Sequence, residues 1–135
     1  MTLAQSYLVK AEKRMAALRV LMQEEAYSDV VREAQEVVEL ALKGMLRQIG
    51  VEPPKQHDVG ALLLEHRDRL PKEVHEDLPQ LAKASKWLRK EREFSFYGAD
   101  DFVPTDEYGE DEARAALLAA DLAVRTAARV IPSPR

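Results

Sequence analysis

The sequence predicts an all-α fold, an antiparallel four-helix up-and-down bundle with an additional short helix, and three observations predict it. Apolar residues recur at three- and four-residue spacing through most of the 135 residues, the period of one face of a helix. No segment alternates apolar and polar residues as a half-buried strand does. Proline and glycine gather at breaks between the periodic stretches: Gly50, Pro53, Pro54, Pro71, Gly98, Pro104 and Gly109. A chain of this length is one domain by default, with a core large enough to fold without metals or crosslinks. We assign that domain to residues 1–131 and expect 132–135 to fray.

Each element has its own signals. Thr2 can cap a first helix on which Leu3, Tyr7, Ala11, Met15, Leu18 and Met22 form the apolar stripe. That helix should stop near Glu24 and Glu25. Ser28 or Asp29 can cap the second, whose stripe runs through Val31, Ala34, Val38, Ala41, Met45 and Ile49 and is widened by Val30, Val37, Leu42 and Leu46. So broad a stripe faces more than one neighbour and puts this helix at the bundle centre. Gly50 is placed to end it with positive φ.

Pro53 and Pro54 then stiffen a connection. A short third helix is expected from Asp58 to about Arg69, with Val59, Leu62 and Leu63 inward. The fourth should start within 72–77 and run to about Glu93, presenting Leu78, Leu81, Ala84, Ser85 and Leu88 to the core. Pro79 fits it only in the first turn. After a loop over 98–109, Glu110, Asp111 and Glu112 put carboxylates at the positive end of a last helix. Its stripe is Ala113, Leu117, Ala120, Val124, Ala127 and Ile131.

Composition excludes several chemistries. Cysteine is absent, so there is no disulfide, thiolate nucleophile or Cys-ligated zinc. The net charge of −4 argues against general coating of nucleic acid. The first residues lack the apolar core of a secretion signal, and no stretch reaches the run of about 18 apolar residues that a spanning helix needs; the expected setting is cytoplasmic. The absence of asparagine as well as cysteine suits a heat-adapted source.

The five glycines compose neither a GxGxxG turn nor a phosphate-cradling GxxxxGK[ST] loop. None of His57, His66 and His75 has the upstream glutamate of a di-iron helix pair, and HExxH is missing. His57 beside Asp58 reads more readily as a helix start than as a metal ligand, and His66 and His75, set among charges, read as solvated. Asp100 and Asp101 read as an acidic loop. No cofactor and no metal site is expected.

One constellation has chemical character. Residues 82–93 hold five bases against two acids, beside the aromatic residues Trp87, Phe94 and Phe96. A basic face with stacking aromatics suits phosphate and bases. The plainer alternative makes Lys83, Lys86 and Lys90 a solvated stripe, pairs Arg89 and Arg92 with acids of 100–112, and buries the two phenylalanines.

Two runs, taken with the helix order, resemble the HEPN family. The first is Ala34-Gln35-Glu36-Val37-Val38-Glu39 with Lys43, followed by Gly50 and His57-Asp58. The second is Arg92-Glu93-Phe94-Ser95-Phe96-Tyr97-Gly98-Ala99-Asp100. The resemblance implies a homodimer in which equivalent helix ends meet across a two-fold cleft, and a minimal nucleotidyltransferase as partner. Ribonucleases of that family use an arginine followed four to six residues later by histidine. Here Phe96, Tyr97, Gly98 and Ala99 stand where the histidine would fall, and no histidine follows. A phenol with a pKa near 10 is a poor replacement for imidazole at neutral pH.

The resemblance therefore implies a homodimeric helical protein that binds a nucleotidyltransferase, and nucleotide or RNA phosphate, in a toxin-antitoxin type module. The candidate binding residues are Arg89, Arg92, Tyr97 and Lys86. An alternative is a metal-independent ribonuclease with a degenerate motif, Arg92 stabilising the phosphorane and Tyr97 acting on a proton. A helical scaffold without ligand is the third reading.

Overall fold

The computed structural model describes residues 1–53, 55, 58–97 and 108–134, the side chains of 92–97 excepted. Among the described residues five α-helices follow in order: α1 (Leu3–Gln23), α2 (Tyr27–Gln48), α3 (Val59–Glu65), α4 (Leu78–Tyr97) and α5 (Glu110–Val130). Two 3₁₀ stretches, Arg67–Arg69 and Lys72–Asp77, lie between α3 and α4. Among the described residues there is no strand. His57, Asp100 and Asp101 lie outside the described residues.

The core is built around α2, which packs on α1, α5, α4 and α3. Its two-sided apolar stripe requires this, and Val30, Val37, Val38, Leu42, Met45 and Leu46 are all fully buried. α5 answers with small residues, Ala113, Ala116, Ala120, Ala123 and Ala127, which let the two backbones approach. The inward face of α5 is rotated from the expected one: Ala116 and Ala123 are buried, while Leu117 and Val124 stand at its margin. The first turns of α1 differ in the same way. Ala4 and Leu8 face the core, Leu3 is exposed and Tyr7 half-buried.

Two tight reversals set the ends of the central helix. At the α1–α2 junction the Ala26 N–H bonds the Leu21 carbonyl at 3.0 Å and the Glu25 N–H bonds Met22 at 3.1 Å, the Schellman pattern. Glu25 takes the left-handed position with φ 57°. The chain thus runs straight into α2 at Tyr27, with Ala26 at the N-cap and no side-chain cap. Neither Ser28 nor Asp29 caps, because both are already inside the first turn; Asp29 pairs with Arg32 instead. At the other end the pattern recurs through Val51 to Leu46 at 2.9 Å and Gly50 to Arg47 at 3.0 Å. There Gly50 holds φ 81° and Arg69 donates to the Ile49 carbonyl.

The third helix is shorter than expected. Asp58 caps it, accepting from the Ala61 N–H at 3.2 Å, but it ends at Glu65 and the 3₁₀ turn takes over. His66 and His75 are both half-buried. Each bonds through its ring to a main-chain carbonyl, Leu62 and Leu70, at 3.0 Å; neither is simply solvated. Gly60 lies against α4 so closely that a Cβ would stand 2.6 Å from the Ala82 Cα. α4 begins with Leu78 and Pro79 in its first turn, where a missing N–H costs nothing, and continues to Tyr97 rather than Glu93.

The tail expected to fray is tethered over its first residues. Gln5 closes a capping box with Thr2, and its amide donates to the carbonyls of Pro132 and Ser133 at 3.0 and 3.2 Å. No helix among the described residues is long and apolar enough to cross a membrane.

Candidate functional site

Gln35, Glu39 and Lys43 follow one another at four-residue spacing, so they form a polar line down α2. Gln35 and Glu39 are buried in that line. The Glu39 carboxylate, with about a tenth of its side chain exposed, is flanked at 3.6 Å by Lys43 Nζ and at 3.6 Å by Arg89 Nη2 from α4. Its Oε1 has no hydrogen-bond partner, so the attachment is ionic. The two cations are each about a third exposed, and the cluster opens from the α2–α4 seam toward solvent.

The four residues expected at the site fall out as follows. Arg89 is at the seam, held by an acid of α2. Lys86 is exposed one turn earlier on α4. Arg92 and Tyr97 belong to the last turns of α4, three and eight positions beyond Arg89. Their side chains lie outside the described residues, as do those of Phe94 and Phe96. Beyond the undescribed segment the chain returns at Tyr108, which is buried. Its hydroxyl donates to the Glu91 carboxylate at 2.7 Å, with the Glu91 main-chain carbonyl at 3.2 Å. Tyr108 is therefore tied to α4 at Glu91.

Two of these partners escape a reading of the sequence. Glu39 is visible there as a polar position inside an apolar stripe, but nothing in the sequence says which cation on another helix it meets. Tyr108 sits among acids and glycine in a loop-like stretch with no periodicity to mark it as buried.

A second feature lies on the far side of α4. Gln80, Lys83, Ala84 and Trp87 of α4 and Ala115, Leu118, Ala119 and Leu122 of α5 line an open, mostly apolar groove of about 360 Å³. Leu118 is 63% exposed there. Trp87, one of the aromatic residues that could stack on bases in the basic-face alternative, lines this groove. Among the described residues no group of three or more His, Asp or Glu side chains is placed to hold a metal ion.

A family model for the HEPN domain matches residues 4–130. In structure, the chain is similar to TT1696 from Thermus thermophilus, with a TM-score of 0.74 and 24% identity over 97% of this chain and 100% of that one; this likeness speaks to the fold alone. No curated protein matches the sequence.

Proposed function

The chain belongs to the HEPN family, and from that membership we propose that it works as a homodimer that binds a partner nucleotidyltransferase, and a nucleotide or RNA phosphate, at the α4 end. The toxin-antitoxin type setting belongs to the same reading. The observation that carries it is the Glu39–Arg89 attachment. It ties α4 to the central helix one turn before Arg92, so the last turns of α4 start from a fixed base. A site that must receive an anion needs its cations held in place before the ligand arrives. Lys86, Arg89 and Arg92, at successive three-residue steps, give that stretch of α4 its positive charge.

The Leu118–Trp87 groove supports the homodimer part of the reading, because an exposed apolar patch on an otherwise charged helical surface suits a partner face. The apolar stripe of α2 is covered within the chain, so this reading puts the dimer contact on the groove instead.

Coexpression with a minimal nucleotidyltransferase, taken from the neighbouring reading frame if that frame encodes one, tests the partner. The expected result is copurification that Arg92→Ala weakens by about tenfold or more while the melting temperature stays within a degree or two. Equal copurification of both forms would count against a site at the end of α4.

A further inference from the structure

The end of α4 is weak helix by its own sequence. Phe94, Ser95, Phe96 and Tyr97 are middling helix formers, and no basic residue stands in the final turn to favour the last carbonyls. A helix end of this kind frays unless something outside the helix holds it. Yet α4 runs on to Tyr97.

Two attachments meet α4 just before that end. Arg89 is held by Glu39 of α2 at 3.6 Å, and the Glu91 carboxylate accepts from the Tyr108 hydroxyl at 2.7 Å. Residues two apart on a helix stand about 200° from each other around its axis, so the two contacts grip α4 from nearly opposite sides. A hydroxyl that donates to a carboxylate makes a charge-assisted bond, about twice as strong as a neutral one. The same hydroxyl lies 3.2 Å from the Glu91 main-chain carbonyl, and it therefore touches the backbone of α4 as well as its side chain.

The anchor behind Tyr108 is firm. The residue is buried. Its neighbour Gly109 is the N-cap of α5, and the Gly109 carbonyl is closed by the Ala113 N–H at 3.2 Å. Ala113 and Ala116 then seat the start of α5 in the core. Through Glu91 and Tyr108, the end of one helix is thus fastened to the beginning of the next.

We infer that Tyr108 is a positioning residue for the end of α4: its hydroxyl, acting through Glu91, keeps residues 92–97 helical and so fixes the backbone that carries Arg92 and Tyr97. The clasp itself rests on the hydrogen bond; its value to binding rests on the reading of the α4 end as the binding site. A site whose backbone is ordered before the ligand arrives binds without the cost of ordering it.

Hydrogen exchange of the free full chain, read by mass spectrometry, tests the clasp, and copurification with a minimal nucleotidyltransferase tests its role. In Tyr108→Phe, which keeps the buried ring, the amides of 92–97 should exchange about tenfold faster or more. Those of α1 and α2 should be unchanged, and the melting midpoint should fall by no more than a few degrees. Glu91→Ala should act alike, Glu91→Gln should retain most of the protection because it keeps an acceptor, and the double variant Tyr108→Phe with Glu91→Ala should be no faster than either alone. Arg129→Ala, which frees the far end of α5 from Glu73 and Asp77, controls for general loosening and should leave 92–97 as they are. Copurification should weaken severalfold in Tyr108→Phe and recover in Glu91→Gln. Exchange at 92–97 indifferent to Tyr108→Phe, or quickened equally by Arg129→Ala, would overturn the clasp. Faster exchange with undiminished copurification would overturn the positioning role. A wild-type chain that binds no nucleotidyltransferase would remove the α4-end reading and the positioning role with it, while the exchange result still decides the clasp.

Discussion

Arg89 of α4 sits 3.6 Å from Glu39 of α2, and the two are unequally buried: about a tenth of the glutamate side chain is exposed against about a third of the arginine. That asymmetry determines which partner matters more to stability. Removing a partner from a buried charge costs more than removing one from a charge that can turn to water.

Arg89→Ala should therefore destabilise more than Glu39→Gln. Without Arg89 the buried carboxylate keeps only Lys43, and a loss of about 2–3 kcal/mol is expected. Glu39→Gln leaves two cations that can turn to solvent, with a loss of about 1 kcal/mol or less. Urea unfolding of both variants checks the order; equal losses would mean that Glu39 is satisfied by something other than Arg89.

The two helix-ending turns use the same hydrogen bonds with different residues at the left-handed position. Glu25 bears a steric cost there that Gly50 does not, about 1 kcal/mol, partly offset by glycine's freer unfolded chain. Glu25→Gly should stabilise by up to about 0.5 kcal/mol, a rise of about a degree or two in the thermal midpoint. Gly50→Ala should do the reverse, by about 1–2 kcal/mol, because it forces a Cβ into φ 81° and brings it within 3.3 Å of the Arg69 guanidinium. A melt that moves the same way for both would contradict this account of the turns.

The missing histidine bears on chemistry. With Phe96 to Ala99 where imidazole would stand, the purified chain should cleave RNA no faster when Arg92 is present than in Arg92→Ala. A gel assay in chelator, with Lys10→Ala as the fold-neutral control, measures it. Robust metal-independent cleavage lost only with Arg92 would favour the degenerate ribonuclease reading over the binding one.

Much of the fold was legible because it rests on periodicity. The breadth of the α2 stripe gave its central place and Gly50 its end; Pro79 does fall in the first turn of α4, but that helix starts at Leu78 and the expected start within 72–77 is a 3₁₀ stretch. What was not legible depends on partners distant in sequence. Ser28 and Asp29 look like caps, yet the Leu21 and Met22 carbonyls turn the chain early and leave both inside the helix. The α5 stripe could be drawn through Leu117 or through Ala116, and the close approach of α2 selects the alanines. At the site, the charge of Arg89 was plain, but its acid lies fifty residues upstream on another helix, and no local pattern connects them.

The last prediction concerns the Leu118–Trp87 groove. A leucine 63% exposed midway along α5, beside Trp87 and Leu122, leaves apolar area in water that a second copy could cover, and a two-fold dimer would use the groove of both copies in one isologous contact. A stable contact of that kind buries at least about 1,200 Å² in total. Light scattering at micromolar concentration should give twice the chain mass, and Leu118→Glu should give the monomer, since two like charges would meet at the symmetric contact. Because residue 118 faces solvent within one chain, the same substitution should change monomer stability by no more than about 0.5 kcal/mol. A wild-type monomer would remove the homodimer from the functional reading; a dimer indifferent to Leu118→Glu would move its interface to another face.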